Sequence, residues 1–293
     1  MGFVSVADLV EKALARQSKI AEIVIEAEME GSSRTREELI AQMEDNWEVM
    51  LASMERGLNK NIRSKSGLTG GDAYKLDQAR QQQQTVSGPI MAEAVARAMA
   101  VAEVNSAMGK IVAAPTAGSC GILPAVLYVI GTQVNAKRED IINALFTAAG
   151  VGAIVGSKAF IAGAAGGCQA EVGTASCMAA VAGVELAGGD PEQAAHAGAM
   201  AMKNLLGLVC DPVAGLVEVP CIKRNAIGTA NALIAVDMAL AGIKSVIPID
   251  DTISAMREVG LSMPVSLKET AGGGLANTPC ARALEEKLNL GDF

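Results

Sequence analysis

The sequence predicts an all-α protein: one globular domain of many Ala- and Gly-rich helices, with its function carried by the loops between them. Two compositional facts and one pattern lead there. Apolar residues make up 51% of the 293 positions while aromatics make up only 2%. The apolar content is therefore Ala, Val, Ile, Leu and Met, and helix axes approach closely where Ala and Gly line the contact. Apolar residues recur at spacings of three and four, and strand signals are nearly absent; Val246–Ile249 is the best of them and is short.

Residues 1–60 read as an amphipathic N-terminal part with two helices. Val6, Leu9, Val10, Ala13, Leu14, Ile20 and Val24 recur on one face behind Ser5 and Asp8, which are placed like a capping box. Thr35 and Glu38 repeat that device ahead of Leu39, Met43, Trp47, Met50 and Met54, and Gly57 closes the second helix. Residues 59–86 read as a long polar loop with room for a short helix, running into Gln81–Gln84. The helical core follows over 87–293. Pro89 suits the first position of a segment ending near Gly109, another helix starts after Gly121, and Pro191 follows Asp190 as N-cap. Further helices are expected over 138–149, 173–187, 192–206, 223–242, 251–259 and 279–290, the central ones apolar all round. The apolar run Ile141–Gly156 holds three glycines, is soon followed by Lys158 and has no boundary Trp or Tyr, so a buried core helix is expected there rather than a membrane span.

A net charge of −8 offers no basic stripe for phosphates, so nucleic acid is not an expected partner. The first residues lack the basic flank and apolar run of a secretory signal, and Val6 stands where a myristoylation pattern needs Ser or Thr. Six cysteines in a large, Met-rich chain without such a signal are expected to be reduced thiols in the cytoplasm.

The candidate chemistry sits in three breaks between helices. Ala113-Ala114-Pro115-Thr116-Ala117-Gly118-Ser119-Cys120-Gly121 sets hydroxyls and free N–H groups at a helix start, which suits a carboxylate and equally suits an ordinary capped turn. Gly166-Gly167-Cys168-Gln169-Ala170-Glu171 and Cys210-Asp211-Pro212 through Pro220-Cys221 hold three cysteines beside Gly or Pro. Irregular backbone of that kind lets a sulfur face a bound object, whereas Cys177 sits mid-helix like a core hydrophobe. The spacing Cys-x41-Cys-x10-Cys matches neither zinc ribbons nor ferredoxins, so on spacing alone structural thiols remain open.

Ala-Pro-Thr-Ala-Gly-Ser at 114–119, Gly-Gly-Cys-Gln-Ala-Glu-Val-Gly at 166–173 and the segment from Cys210 to Cys221 resemble the iron–sulfur L-serine dehydratase family, alpha chain. Ser66–Asp72, Leu267–Thr270, Gly272–Gly274 and Thr278-Pro279 extend the resemblance over almost the whole chain. It implies a [4Fe–4S] cluster held by Cys168, Cys210 and Cys221, with one iron free to act as a Lewis acid on L-serine, and a separate beta chain as partner. Thr116, Gly118, Ser119, Lys268 and Thr270 are then expected at the substrate. The base is unassigned by motif. Lys65 and Lys110 lie near motifs and would serve if burial lowered their pKa; His196, the sole histidine, reads as a packing residue. Cys120 and Cys280 are further thiols near the expected site, and either is a conceivable fourth ligand.

Three other readings stay open at this stage. Cluster-dependent cysteine desulfidation would use the same thiols with hydrosulfide as leaving group. A pyridoxal phosphate enzyme would use Ser157-Lys158 and the Gly272–Gly274 run, but needs a parallel sheet. A non-catalytic helical subunit would bind no iron.

Overall fold

The computed structural model describes residues 2–288, and its regular elements there are helices; the only strand-like pairing is an isolated parallel bridge between Cys210 and Lys268. In the N-terminal part three helices stand where two are expected: α1 (Val6–Ala15), α2 (Ile20–Ser32) and α3 (Arg36–Gly57). The apolar face does run from Val6 to Val24, but Gln17 takes φ 51° and turns the chain between α1 and α2. Ser5 accepts the Asp8 N–H (3.0 Å), while the Asp8 carboxylate turns to Val4 N–H, so only half the expected capping box forms. Thr35 and Glu38 complete theirs. Gly57 is the last helical residue rather than a left-handed cap. A Cβ there would lie 2.1 Å from the carbonyl oxygen of Ala100, so glycine permits a helix–helix approach.

The expected loop over 59–86 contains α4 (Asp72–Gln81), whose first N–H groups are taken by the buried Glu103 carboxylate of α5 (Pro89–Ser106), at 2.9 Å from both Gly71 N and Asp72 N. Pro89 is the first residue of α5, as expected. After α6 (Ile122–Gln133), α7 (Arg138–Lys158) runs nine residues beyond the expected end. It is long and apolar enough to cross a membrane by composition, yet it packs between α2 and the central helix, and over half of that stretch is buried. The four-residue α8 (Gly163–Gly166) leads to α9 (Thr174–Leu186), every residue of which is buried. This central helix touches α6, α7, α10 (Pro191–Lys203) and α11 (Cys221–Leu240). Small residues make that possible: Gly183, Ala179 and Ala182 leave room for neighbours.

Chain order closes with α12 (Ile249–Ser262) and α13 (Pro279–Leu288); the expected extension to 290 lies outside the described residues. Val246–Ile249 forms no strand: Val246 and Ile247 are exposed in a connector, and Ile249 starts α12. Absence of a sheet among the described residues removes the scaffold that the pyridoxal phosphate reading requires, and Lys158 is ion-paired with Asp250 at 3.0 Å. His196 accepts the Ser245 N–H at 3.3 Å and packs α10 against the α11–α12 connector.

One charge enters the central helix. Glu185 of α9 accepts Ile20 N–H (2.6 Å) and the Thr147 hydroxyl (2.5 Å), capping α2 from inside the core. Burial nevertheless holds its carboxyl above the ordinary 4.5, because desolvation outweighs those donors. A raised folded pKa means that protonation is favoured on folding. The contribution is fully present below the unfolded pKa and is lost as pH rises through the folded one. The melting temperature of a Glu185→Gln chain should therefore vary less over the acid-to-neutral range than that of the wild type. Parallel curves for the two would contradict this.

Candidate active site

Three loops deliver three buried thiols. Cys168 follows Gly167, whose φ of +76° is joined by a steric demand: a Cβ there would meet Met263 Sδ at 2.6 Å. Gln169 fixes the loop, its backbone N–H donating to Leu208 O (2.9 Å) and its amide bonding Met256 O and Gly207 N–H, each at 2.9 Å. Gln169–Gly173 form a π-turn that aims the segment into α9, a local device frequent at functional sites. Cys210 lies in the parallel bridge: its N–H donates to Leu267 O (2.8 Å), and Glu269 N–H donates to its carbonyl (2.7 Å). Cys221 is the first residue of α11, directly after Pro220. All three are buried and none is disulfide-bonded.

Burial pushes the thiols of Cys168 and Cys221 up to about 12, and that of Cys210 higher still. Cys210 also feels the charges of Cys168, Glu171, Glu269 and Cys221, and Cys210, Glu171 and Glu269 border one small pocket beside Gly163. The pocket depends on glycine: a Cβ on Gly163 would stand 2.8 Å from Cys210 Sγ, 2.8 Å from Glu171 Oε2 and 3.3 Å from Glu269 Oε2. Burial also holds the Glu171 carboxyl above 4.5, with the Glu269 charge adding to the rise and the Thr116 bond and Arg224 opposing it.

The turn at 114–121 closes the other side. Thr116 Oγ1 donates to Glu171 Oε1 at 2.5 Å and lies 3.3 Å from Ser119 Oγ. Ser119 is buried, with its hydroxyl on Ala114 O at 3.4 Å. Gly118 keeps Glu171 in place by having no side chain, since a Cβ would stand 3.0 Å from Oε1. Asn225, fully buried on α11, locks the turn to the third cysteine: Oδ1 accepts Gly121 N–H (2.9 Å), and Nδ2 donates to Gly118 O (2.8 Å) and Cys221 O (3.0 Å).

Residues 15–276 match the serine dehydratase alpha chain family. The chain belongs to this family. Among its relatives are the "Probable L-serine dehydratase, alpha chain" of Bacillus subtilis (strain 168), 52% identical over 98% of this chain and 95% of the relative, and the "L-serine dehydratase, alpha chain" of Peptoniphilus asaccharolyticus, 44% identical over 97% and 98%. The "L-serine dehydratase" of Streptomyces coelicolor is 38% identical over 90% of this chain but only 58% of its own length.

Within this family member, the residues expected at the site fall into three groups. Thr116 and Gly118 meet Cys210 through Glu171, Gly118 is tied to Cys221 through Asn225, Cys168 and Ser119 are buried in the adjoining loops, and Lys268, half-buried, joins Cys210 through the bridge. Thr270 is exposed, and its hydroxyl folds back onto Val265 O (3.1 Å). Lys65 is exposed beside a cleft of about 480 Å³ lined also by Ser66, Met108, Ala117 and Glu218. Lys110 is exposed in a different depression, with Glu48 and Arg56. Neither lysine has the burial that a base role was expected to use. Cys120 and Cys177 are fully buried, whereas Cys280 is exposed on α13, a helix that packs on the Val213–Gly215 turn.

Sequence reasoning assigned no role to Glu171, Arg224 or Asn225. A helix beginning at Cys221 returns positions 224 and 225 to the cysteine's own face, so spacing within α11 was the available signal. The glycine run at 272–274 also has a concrete cause. A Cβ on Gly274, at φ +59°, would stand 2.3 Å from Asp211 Oδ2, and the same oxygen accepts Leu275 N–H at 2.7 Å. Ser66 and Thr69 of the expected motif both donate to buried Glu218 at 2.9 Å, tying 64–71 to the loop between Cys210 and Cys221. Among the described residues, no three His, Cys, Asp or Glu side chains converge as a single ion would need; ligands to a polynuclear cluster bind different irons and need not converge.

Proposed function

We propose that this chain is the catalytic subunit of an iron–sulfur L-serine dehydratase, which converts L-serine to pyruvate and ammonia. The observation that carries the reading is the presence of three buried, unpaired thiols from three separate segments, whose charges act on one another. Thiols pushed this far above their ordinary range become thiolates only where positive charge compensates burial, as a cluster's iron does. The donor set and the glycine-lined space at Gly163 therefore fit such a group, with Cys168, Cys210 and Cys221 as its ligands. When bound, a [4Fe–4S] cluster with one iron lacking a protein thiolate supplies a Lewis acid for the β-hydroxyl.

The chain's own side chains divide the rest. Glu171 and Glu269 give the pocket negative charge suited to the substrate ammonium, and Thr116 fixes the Glu171 carboxyl. Lys268, next to Cys210, is suited to the substrate carboxylate. Loss of the α-proton and of the hydroxyl removes water; the resulting enamine tautomerises and hydrolyses to pyruvate and ammonia. A partner is part of this reading. The Streptomyces relative extends well beyond the matched region, and a beta chain supplies the corresponding part here.

Anaerobic reconstitution with iron and sulfide tests the proposal, with pyruvate assayed with and without the partner chain. Pyruvate should form from the loaded protein and decline on exposure to air. Loaded protein that forms none with the partner present would refute the reading, and faster sulfide release from L-cysteine would turn it to desulfidation. Lys268→Ala should raise KM for L-serine on the order of 10-fold or more; an unchanged KM removes Lys268 from the site.

A further inference from the structure

We propose that Arg224 is a positioning residue that assembles the three-thiol site and governs how tightly it retains its metal group. The inference rests on the cluster reading above and concerns a side chain to which neither the motifs nor that reading assigns a role.

One guanidinium ties the Cys210 segment to the helix that begins at Cys221, and stands near Cys168. Its Nη1 donates to Val209 O and its Nη2 to Asp211 Oδ1, both at 2.7 Å, so it grips the residues on either side of Cys210. Its positive charge also acts on the nearby Cys168 thiol, against the upward push of burial. It stands three residues after Cys221 on α11, which places its backbone one helical turn from the third thiol. The Arg224 side chain is only 11% exposed and that of Asp211 only 4%, so the pair is shielded from solvent and salt. Asp211 carries the tie outward to Leu275 N–H and the glycine run.

A fork of donors fixed in one plane explains why arginine stands here. A lysine ammonium could neutralise Asp211, but it could not bond a carbonyl and a carboxylate from two nitrogens held in one plane. A cation beside a ligating sulfur also stabilises the thiolate and alters the electronic state of the attached iron. Without Arg224, the Asp211 carboxylate would remain buried beside the thiols with no cation.

The test compares wild type, Arg224→Lys and Arg224→Gln after anaerobic reconstitution. It follows iron release to a chelator and the electron paramagnetic resonance signal of the reduced cluster, with the melting temperature of the metal-free chains as control. Iron should leave the variants on the order of 10–100-fold faster than the wild type, Arg224→Gln faster than Arg224→Lys, with altered g-values in both. Should Arg224→Gln fail to fold, Arg224→Lys carries the comparison. Wild-type release rates and an unchanged spectrum in a folded variant overturn the role of Arg224 while leaving the cluster reading intact. A wild-type chain that takes up neither iron nor sulfide overturns both.

Discussion

Gly163→Ala is expected to lower kcat/KM by about 100-fold or more while leaving the helical fold in place. The added methyl would sit 2.8 Å from both Cys210 Sγ and Glu171 Oε2, so it must displace a thiol, a carboxylate or the segment itself. Gly163 has no left-handed φ, and its conformation is open to alanine. The loss therefore comes from the space beside the reacting groups, where a misplacement of about 1 Å costs on the order of 100-fold. Steady-state kinetics on L-serine, set beside circular dichroism melts, checks this. Activity within about twofold of wild type would show that the Gly163 space is not used by substrate or cofactor.

The second large effect is on stability. Gly57→Ala would place a Cβ 2.1 Å from Ala100 O and 2.6 Å from Ala100 Cα, backbone atoms of α5 that cannot swing aside. Helices α3 and α5 must separate, and overpacking of this sort costs about 1–3 kcal/mol, or more where backbone has to move. A fall in melting temperature on the order of 2–5 °C is expected from that range for a chain of this length. Differential scanning calorimetry on the metal-free chain measures it directly. An unchanged midpoint would mean that α3 and α5 are not packed as described. Gly121, whose Cβ would meet Ala98 O at the same 2.1 Å, makes the equivalent demand from the other side of α5.

Much of the fold was legible because its helix ends carry chemical signatures. Thr35 with Glu38, Asp190 with Pro191, and Pro89 mark helix starts where the structure has them. The break at Gln17 left no mark in the apolar pattern, since α1 and α2 keep one face across the turn. α4 was legible only as room for a short helix, because it is polar and its cap, Glu103, comes from 30 residues away in sequence. At the site, the three cysteines stood out by their Gly and Pro neighbours. Asn225 and Arg224 did not, because their partners are backbone atoms of loops that only the tertiary fold brings alongside α11. Thr116 and Ser119 were expected at the substrate; in the structure they bond Glu171 and their own turn.

The central claim is that Cys168, Cys210 and Cys221 hold one iron–sulfur group. Iron and acid-labile sulfide per chain, measured after anaerobic reconstitution, test it most directly across the three single Cys→Ser variants and a Cys177→Ser control. The expected result is about four irons in the wild type and the control, with iron, sulfide and pyruvate formation all lost at each of the three positions. Full iron content and undiminished turnover in any one of those three variants would contradict it.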